Sequence, residues 1–519
     1  MRLRHLAVFA VCLLWIGGTS AQAQDVTLTS QDGDVEIAGT LLGYDGQFYR
    51  VQTIYGELTV DGSGIICVGP GCPNLQDFVA EVSISGSATM GAVLMPALLE
   101  GFGQRNGYQT VRLDADATHF HYVLTDSRTE KPVAEFRFRV TNSDEGFADL
   151  LAHEADVVMS LREIRPDEKD RAFEAGMGDM TARNLSRVVA LDAIVPVVSP
   201  QNPVREISPL DLARVFAGEI RNWSVLGGAD APIALHAPSI RTGLGQATED
   251  RILGPVSLQM EETVTRHARG AALAEAVAKD PFALGVASFA EVGRTQPLIL
   301  KGSCGRVLRA TRRSIKTEDY PLTAPMFLYT PARRLPKIGR EFLSFVRGQT
   351  AQVVIRRSGF VDQALEEVPV NQQGDRFANA IAAAGPQVSM SELQRMVDRL
   401  TPMKRLTISF RFEAGSSGLD AQSRSNIVQL ARDLEQGRFD GRQLFFIGFS
   451  DGDGPADPNR QIALSRAEAV RDAVQQAAET ADLAQVDMRA DAFGEAMPLA
   501  CDDSAWGRKA NRRVEVWVR

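Results

Sequence analysis

The period of the hydrophobic pattern changes along this chain of 519 residues, and this change constrains the fold more than any other feature. Over residues 25–66, apolar and polar side chains alternate and turn residues separate the runs, as in half-buried β-strands. From residue 77 onward, strand-like runs alternate with segments of helical period, which is typical of an α/β domain. Because the chain is also too long for one domain, we predict an α/β multidomain protein that begins with a small β module of four or five strands.

Breaks in this pattern set the expected domain boundaries. Gly374 and Gly385-Pro386 interrupt the apolar periodicity between two α/β regions, so we expect a linker with short helices there. Beyond it, strand and helix patterns follow each other in the order βαβαβ. The predicted order is a signal peptide (1–23), the small β module (24–76), a large α/β domain (77–365), the linker (366–403) and a C-terminal βαβαβ domain (404–519).

The first residues have the three parts of a secretory signal peptide. Arg2 and Arg4 precede an apolar stretch at 6–16 that is too short to span a bilayer comfortably. Ala21-Gln22-Ala23 then matches an A-x-A cleavage site, whereas an anchor helix is the alternative interpretation. We therefore predict an exported protein whose mature chain begins after residue 23.

Net charge and cysteines narrow the class of protein. A net charge of −9 without a basic block argues against a nucleic-acid partner. Cys67 and Cys72 bracket a Gly-Pro-Gly turn, which predicts a disulfide in an oxidising compartment. Cys304 and Cys501 either pair across domains or stay as buried thiols, and the sequence leaves both options open.

Residues 445–454, FFIGFSDGDG, combine an apolar strand with a loop rich in glycine and aspartate. The loop contains the pattern G-x-S-x-G, but all six histidines precede Ser450, contrary to the chain order of α/β-hydrolases. Counting from Asp451, the twelfth position is Ile462 and not the glutamate of a calcium loop. With no nucleophile–base pair, metal cluster or cofactor motif in the sequence, we expect a protein that is not an enzyme and needs no cofactor.

The loop and the helix after it could hold a zwitterion. Asp457 is the expected N-cap of this helix and Pro458 its first residue. Asp451 in the loop could face an ammonium group, and Arg466, two turns inside the helix, could pair with a carboxylate. A simple ion pair between Asp451 and Arg466 is the alternative interpretation of the same spacing.

The segment GFSDGDGPADPNRQIALSRAEAVRDAV, followed by GRKANRRVEVWV, resembles the OmpA-like peptidoglycan-binding domain over about residues 400–519. The family pattern is T-D-x-x-G, then N-x-x-L-S-x-x-R-A, then N-R-R-V-E; here Ser450 replaces the threonine and residues 462–463 replace Leu-Ser. In that family the aspartate and arginine hold the amino and carboxylate groups of diaminopimelate in the peptide stem. The resemblance implies a peptidoglycan site made of Asp451, Arg466, Asn459, Ser450 and Arg513.

The segment LDAIVPVVSPQNPVREISPLDLARVFAGEIRNWSVLGG (191–228) resembles phosphate-type, PstS-like periplasmic solute-binding proteins. The stretches ADVVMSLREI, YPLTAPMFLYT and GFVDQ extend this resemblance over about residues 80–362. The implied architecture is the type II periplasmic-binding-protein fold, with two α/β lobes and the ligand in the cleft between them. The resemblance also implies an inner-membrane ABC transporter as partner, although the sequence itself identifies none.

Three polar loops make up the expected anion site. In the first, SISGSATMG, backbone N–H groups and hydroxyls at a helix start can cradle an anion, and ordinary N-capping is the alternative interpretation. The second carries Asp144 and Glu145, which would oppose phosphate if they faced the cleft, and the third reads SIRTGLGQ. The candidate anion-binding residues are Ser85, Ser87, Thr89, Ser143, Ser160, Arg162, Arg241 and Thr242.

Two functions remain open from the sequence. The first is an exported, wall-anchored solute-binding protein that binds phosphate or a related oxyanion in its cleft and peptidoglycan through its C-terminal domain. The second is a structural envelope protein that links outer-membrane or periplasmic partners to peptidoglycan, with a cleft that no longer binds phosphate. Both place the protein in the periplasm of a Gram-negative envelope, on peptidoglycan and associated with the outer membrane.

Overall fold

The computed structural model describes residues 25–519 except 76, 383, 385, 386, 414, 415 and 417. The predicted signal peptide and the predicted breaker Gly385-Pro386 lie outside the described residues. The chain divides into two compact units, Met1–Ala80 and Glu81–Arg519. Within the described ranges, no helix combines the length and apolar character needed to span a membrane.

The first unit is an antiparallel sheet of five strands in the order β4-β3-β2-β1-β5, as the alternating pattern predicts. Val26, Leu28, Tyr49 and Val51 form its buried core. The predicted disulfide between Cys67 and Cys72 closes the turn that follows β5. Its strands are β1 (Val26–Ser30), β2 (Glu36–Tyr44), β3 (Phe48–Thr53), β4 (Gly56–Asp61) and β5 (Ile65–Val68).

The second unit begins with a two-lobed α/β domain. Its elements are β6 (Ala80–Ser87), α1 (Met95–Asn106), β7 (Tyr108–Asp114), β8 (His119–Asp126), β9 (Pro132–Thr141), α2 (Ser143–Leu151), β10 (Val157–Ser160), α3 (Pro166–Glu174), β11 (Ser186–Val198), β12 (Glu206–Ile207), α4 (Pro209–Phe216), β13 (Ala234–Pro238), α5 (Gly243–Thr248), β14 (Thr265–His267), α6 (Gly270–Lys279), β15 (Ala283–Ser288), β16 (Gln296–Pro297), β17 (Ile299–Lys301), β18 (Val307–Leu308), α7 (Arg312–Lys316), β19 (Thr323–Tyr329), α8 (Lys337–Val346) and α9 (Gln349–Arg357). A π-helical turn, Met90–Leu94, leads into α1.

The two lobes share the long strand β11. Its first half pairs with β19, which continues into the first lobe through β10, β6, β9, β8 and β7. Its second half pairs with β15, which continues into the second lobe through β13 and β14. The strands β11 and β19 therefore connect the lobes at the base of the cleft, as the type II fold requires.

Local sequence signals explain helix α4 well. Ser208 caps it by accepting a hydrogen bond from the N–H of Asp211 at 2.9 Å, and Pro209 takes the first helical position, as predicted. Gly218, two residues past the helix, has a φ of 76°, a left-handed conformation that favours glycine. The helix buries Leu212 and Phe216 against the second lobe.

The C-terminal domain is a five-stranded sheet in the order β20-β21-β24-β22-β23, covered by helices. Its elements are β20 (Glu367–Pro369), α10 (Gly374–Ala382), α11 (Met390–Leu400), β21 (Lys404–Arg411), α12 (Ala421–Glu435), β22 (Gln443–Phe449), α13 (Ala456–Ala477), β23 (Asp487–Gly494), α14 (Ala505–Asn511) and β24 (Arg513–Val518). Apolar residues of β21 and β24 share one core with α12 and α13. The βαβαβ expectation is confirmed.

Two details of this domain differ from the sequence expectation. Strand β20 lies within the segment expected to be a linker, and it pairs with β21 at the edge of the sheet. Helix α13 begins at Ala456 with Pro455 as its N-cap, so Asp457 and Pro458 lie in its first turn instead of at the cap and first position. Proline is tolerated there because N–H groups of the first turn have no partner within the helix.

The C-terminal domain packs directly on the two-lobed domain. Cys304 and Cys501 form a disulfide between them, which resolves the option that the sequence left open. The indole N–H of Trp506 donates to the carbonyl of Arg251 at 2.8 Å. Arg411 donates to the carbonyl of Glu318 at 2.6 Å. The junction is therefore held by covalent and polar contacts as well as by packing.

Candidate binding sites

The loop after β22 is held by hydrogen bonds to the neighbouring elements β23 and α13. The N–H of Ser450 donates to the carbonyl of Gly494 at 2.9 Å. The side-chain amide of Asn459, in the first turn of α13, donates to loop carbonyls at distances between 3.2 and 3.5 Å. Gly454 has a φ of 96°, which favours glycine. The loop thus holds Asp451 in a defined position beside the helix.

Asp451 pairs with Arg512, and not with Arg466. Its Oδ2 accepts a hydrogen bond from Nη1 of Arg512 at 2.6 Å. The half-buried guanidinium of Arg466 lies 5.0 Å from the ring centroid of Phe412 and has no carboxylate partner within the described part of the chain. Burial and the positive charge of Arg512 lower the pKa of Arg466, and Asp451 acts in the opposite direction. The simple Asp451–Arg466 ion pair is therefore not formed.

Further acidic groups surround the same loop. Asp502 accepts a hydrogen bond from the N–H of Gly452 at 2.9 Å. A carboxylate oxygen of Glu495 lies 2.8 Å from the position that a side chain on Gly452 would occupy. Burial, followed by the charges of Asp502 and Asp451, raises the pKa of Glu495. The buried hydroxyl of Ser450 has no hydrogen-bond partner among the described residues. The loop therefore has a surplus of groups that can attract a cation.

Arg513 supports this site from the interior. It is fully buried, and its guanidinium donates to Glu515 at 2.7 Å, to the carbonyl of Met497 at 3.0 Å and to that of Asn511 at 3.2 Å. Because it is fully buried and bonded to these interior groups, it is not accessible to a ligand, which differs from the expectation from the motif. The accessible arginine of the motif is its neighbour Arg512, which the sequence reasoning did not select.

The first loop of the cleft contains one unsatisfied hydroxyl. Ser85 donates to the carboxylate of Asp149, so its hydroxyl is used within the lobe. Ser87 is fully buried, and its Oγ has no partner within the described residues. Thr89 precedes the π-helical turn, and its side chain accepts no capping hydrogen bond. Ser87 is therefore the buried donor that this loop can offer.

The second loop is tied to the other lobe. Ser143 is buried, its Oγ accepts from the N–H of Leu161 at 3.2 Å, and its own N–H donates to the side-chain oxygen of Gln246 in α5 at 3.1 Å. Asp144 pairs with Arg162. Burial acts to raise the pKa of Asp144, but the hydrogen bond and charge of Arg162 outweigh burial, so this pKa is lowered. The acids of this loop are thus neutralised by arginines of the same lobe.

Ser160 and Arg162 are engaged inside the first lobe. Arg162 donates to the two carboxylate oxygens of Glu168 at 2.8 and 2.7 Å, and it also bonds Asp144. The hydroxyl of Ser160 donates to the carbonyl of Arg162 at 2.7 Å. Most donors of these two side chains are therefore already used by the protein, while the buried Nε of Arg162 has no partner among the described residues.

The third loop meets the first across the cleft. Thr242 caps α5 by accepting from the N–H of Gly245 at 3.2 Å, and it donates to the carbonyl of Ser239 at 2.7 Å. A side chain on Gly243 would lie 2.4 Å from Oγ of Ser87, so the start of α5 lies against the first loop. Arg241 is exposed. The structure thus brings Ser87, Ser143 and the start of α5 together.

The fold and these sites define a two-lobed binding protein with a second binding domain at its C-terminus. Residues 76–349 match the family model described as PBP superfamily domain, and residues 411–512 match the OmpA family. The chain belongs to the PBP superfamily and carries an OmpA family domain. It is accordingly a binding protein and not an enzyme.

Curated relatives and solved structures resemble the two-lobed domain. The chain is 24% identical to Protein SphX of Synechococcus elongatus over 265 residues. This alignment covers 47% of this chain and 76% of SphX. It is 22% identical over 298 residues to the phosphate-binding protein PstS of Borreliella burgdorferi, with coverage of 56% and 92%. An ABC-type phosphate transport receptor from Vibrio cholerae is 20% identical, with coverage of 54% and 99% and a TM-score of 0.42.

Proposed function

We propose that the protein is exported to the periplasm of a Gram-negative envelope, where its C-terminal domain holds it on peptidoglycan and its cleft binds an oxyanion, with phosphate as the first candidate. The proposal includes association with the outer membrane and delivery of the ligand to an inner-membrane ABC transporter. The observation that carries it is the half-buried guanidinium of Arg466, which lacks a carboxylate partner in the described chain and lies near Asp451.

A zwitterionic ligand complements this pocket. Partial burial without a counter-ion destabilises a guanidinium, and a ligand carboxylate would remove this cost through bidentate hydrogen bonds to Arg466. Asp451, with Glu495 and Asp502 nearby, attracts an ammonium group. Arg512, which donates to Asp451 in the structure, can then donate to the same ligand carboxylate instead. The diaminopimelate of a peptidoglycan stem carries both groups on one carbon atom.

Binding of the full-length mature protein to purified sacculi tests this half of the proposal. We expect Arg466→Gln and Asp451→Asn each to reduce the bound fraction at least tenfold, because each leaves one charge of the stem without its partner. Arg489→Gln is the matched control, since Arg489 is exposed on the same domain and pairs with Asp487 at 2.7 Å. Equal binding by all three variants and the wild type would refute peptidoglycan binding at this pocket.

The cleft half of the proposal depends on donors that converge from both lobes. An oxyanion in the position of the Gln246 amide oxygen would accept from the N–H of Ser143. The unpartnered hydroxyl of Ser87, which lies against the start of α5, is a further donor. Arg241 adds a positive charge on the third loop. The names of the curated relatives, which include phosphate-binding proteins, make phosphate the first anion to test.

A structural envelope protein with an inactive cleft is the second candidate function. The supporting observation is that Ser85, Ser160 and Arg162 are all bonded within the first lobe. Calorimetry with phosphate separates the two functions. Binding by the wild type supports the solute-binding function, whereas absence of binding both in the wild type and in Gln246→Ala supports the structural one.

A further inference from the structure

A cavity of about 420 Å³ lies between the two-lobed domain and helix α12 of the C-terminal domain. Its walls come from the start of β11, the end of α8 and the start of α9 on one side, and from α12 on the other. This volume falls within the range of about 300–1,000 Å³ typical of small-molecule sites. The cavity contains neither the cleft loops nor the loop after β22, so it is separate from both sites described above.

The lining of this cavity is strongly cationic. Among the described residues that line it, Asp433 provides the only carboxylate. Amides and hydroxyls make up much of the remaining polar surface, and these groups can also donate hydrogen bonds to an anion. The lining arginines are Arg183, Arg187, Arg347, Arg424, Arg432 and Arg438.

Two of these arginines are ion-paired, and a third is bonded to a backbone carbonyl. Arg438 pairs with Asp433 at 3.1 Å. Arg424 lies 3.2 Å from a carboxylate oxygen of Glu413. Arg183 donates to a backbone carbonyl at 3.2 Å. Carboxylates therefore compensate the charges of Arg438 and Arg424. The inference depends on none of these three arginines.

The other three arginines have no carboxylate partner. In the part of the chain that the structure describes, no carboxylate lies within 4 Å of Arg187, Arg347 or Arg432. Arg187 makes two long hydrogen bonds to carbonyls, at 3.3 and 3.4 Å, and its buried Nε has no partner there. Burial and then the charges of Arg347 and Arg432 lower the pKa of Arg187 to about 10. The three guanidinium groups thus repel one another across a shared space.

The directions from which these groups arrive indicate the kind of anion. Arg187 is on β11, Arg347 ends α8 and Arg432 is on α12, so each comes from a different element. Donors that converge from several directions match the tetrahedral oxygens of a phosphoryl group better than a single planar carboxylate. At least three positive charges without a carboxylate partner call for a ligand with about three negative ones.

We propose that this cavity is a second anion site, distinct from the interlobe cleft, and that it binds a compact oligophosphate of pyrophosphate size. The bound anion bridges Arg187 and Arg347 of the two-lobed domain to Arg432 of the C-terminal domain. It therefore stabilises the contact between the domains. Occupancy of the site and docking of the domains are linked, because a ligand that binds the docked form adds its binding free energy to that form.

Calorimetry of the full-length mature protein with pyrophosphate tests the proposal. We expect binding by the wild type and a loss of at least tenfold in affinity in the double variant Arg347→Gln/Arg432→Gln. Arg489→Gln, which removes an exposed charge outside the cavity, should bind as the wild type does. Arg241→Gln, which alters the cleft, should also retain pyrophosphate binding, and this result separates the present proposal from the proposed function.

Two further measurements make the test decisive. Without anion, the double variant should unfold at a temperature no lower than the wild type, because it has lost mutual repulsion and not an ion pair; a lower temperature would contradict the idea of uncompensated charges. Unchanged pyrophosphate affinity in the double variant, or its loss in Arg241→Gln, would overturn the assignment of the cavity. Citrate binding as tight as that of pyrophosphate would overturn the preference for phosphoryl groups.

Discussion

Arg405 of β21 and Asp319 of the two-lobed domain form a bidentate ion pair at the domain junction, with nitrogen–oxygen distances of 2.7 and 2.9 Å. Arg405 is buried, and its Nε also lies 3.4 Å from Glu515. Two parallel hydrogen bonds fix the relative orientation of the groups that they join. The pair therefore selects one docking arrangement of the C-terminal domain on the two-lobed domain.

Removing Asp319 should destabilise the protein. Breaking a buried pair by deleting one partner leaves a charge without compensation and typically costs about 3–5 kcal/mol. We expect Asp319→Ala to lower the free energy of unfolding by about 3 kcal/mol, the lower end of this range, because Glu515 stays near Arg405. Urea unfolding measures this loss. A change below about 1 kcal/mol, the usual range for exposed pairs, would contradict a structural role for the pair.

Glu318, next to Asp319, should make the stability depend on pH. Burial raises its pKa from 4.5 to about 8, and the charge of Asp420 adds to the rise. The folded protein therefore binds the proton of Glu318 more tightly than the unfolded chain does. The stability that this proton adds to the folded state is complete below about pH 4.5 and is lost as the pH rises through about 8.

We expect the free energy of unfolding to fall by a few kcal/mol, on the order of 1.4 per pKa unit, between pH 5 and pH 9 because of this group. Urea unfolding across this pH range should show a flatter profile for Glu318→Gln than for the wild type. The exposed residue Glu479 provides the control, since Glu479→Gln should keep the wild-type profile. Parallel profiles for Glu318→Gln and the wild type would contradict the burial of a neutral carboxyl.

The disulfide between the domains should contribute more to stability than the disulfide of the first unit. Cys304 and Cys501 are 197 positions apart, whereas Cys67 and Cys72 are 5 apart. Closing a longer loop removes more entropy from the unfolded chain, up to about 5 kcal/mol for loops beyond 100 residues. Thermal unfolding of Cys304→Ser/Cys501→Ser should show a lower midpoint for the second unit. An unchanged midpoint would contradict this expectation.

Gln246 and Arg241 should affect phosphate binding in opposite directions. Gln246→Ala removes the amide oxygen that occupies the N–H of Ser143, so we expect tighter phosphate binding in calorimetry. Arg241→Ala removes a positive charge on the third loop and should weaken binding by roughly tenfold, as expected for the loss of a charged hydrogen bond of about 1.5 kcal/mol. A decrease in both variants would indicate that Gln246 helps to bind the anion.

Long hydrophobic patterns and helix caps could be predicted from the sequence, whereas the pairing of distant strands and side chains could not. Helix α4 follows from Ser208 and Pro209, because each acts on its own immediate backbone. Strand β20 has three residues, too few to display a period, and its place depends on pairing with β21.

The choice between Arg512 and Arg513 shows the same limit within a site. The two are neighbours in one motif, and the sequence reasoning selected Arg513. Its position at the start of β24 places it inside, where it bonds Glu515, whereas Arg512 reaches Asp451. Arg162 was likewise a plausible anion ligand until its carboxylate partners were known. Tertiary contacts that join distant parts of the chain decide these roles, and a linear pattern does not contain them.

The edge strand β20 limits how far the two-lobed domain can move away from the C-terminal domain. Val361, at the end of the two-lobed domain, pairs with Leu191 of β11, and Glu367 already pairs with Leu406 of the C-terminal sheet. Only five residues separate these two anchored positions, and a chain of that length spans at most about 20 Å. A molecule held on the murein mesh would therefore keep its cleft at a fixed height above the mesh. Under the proposed function, transfer of a bound anion would then require the receiving protein to come within one molecular diameter, because the five residues between these two positions are too few to act as a long tether.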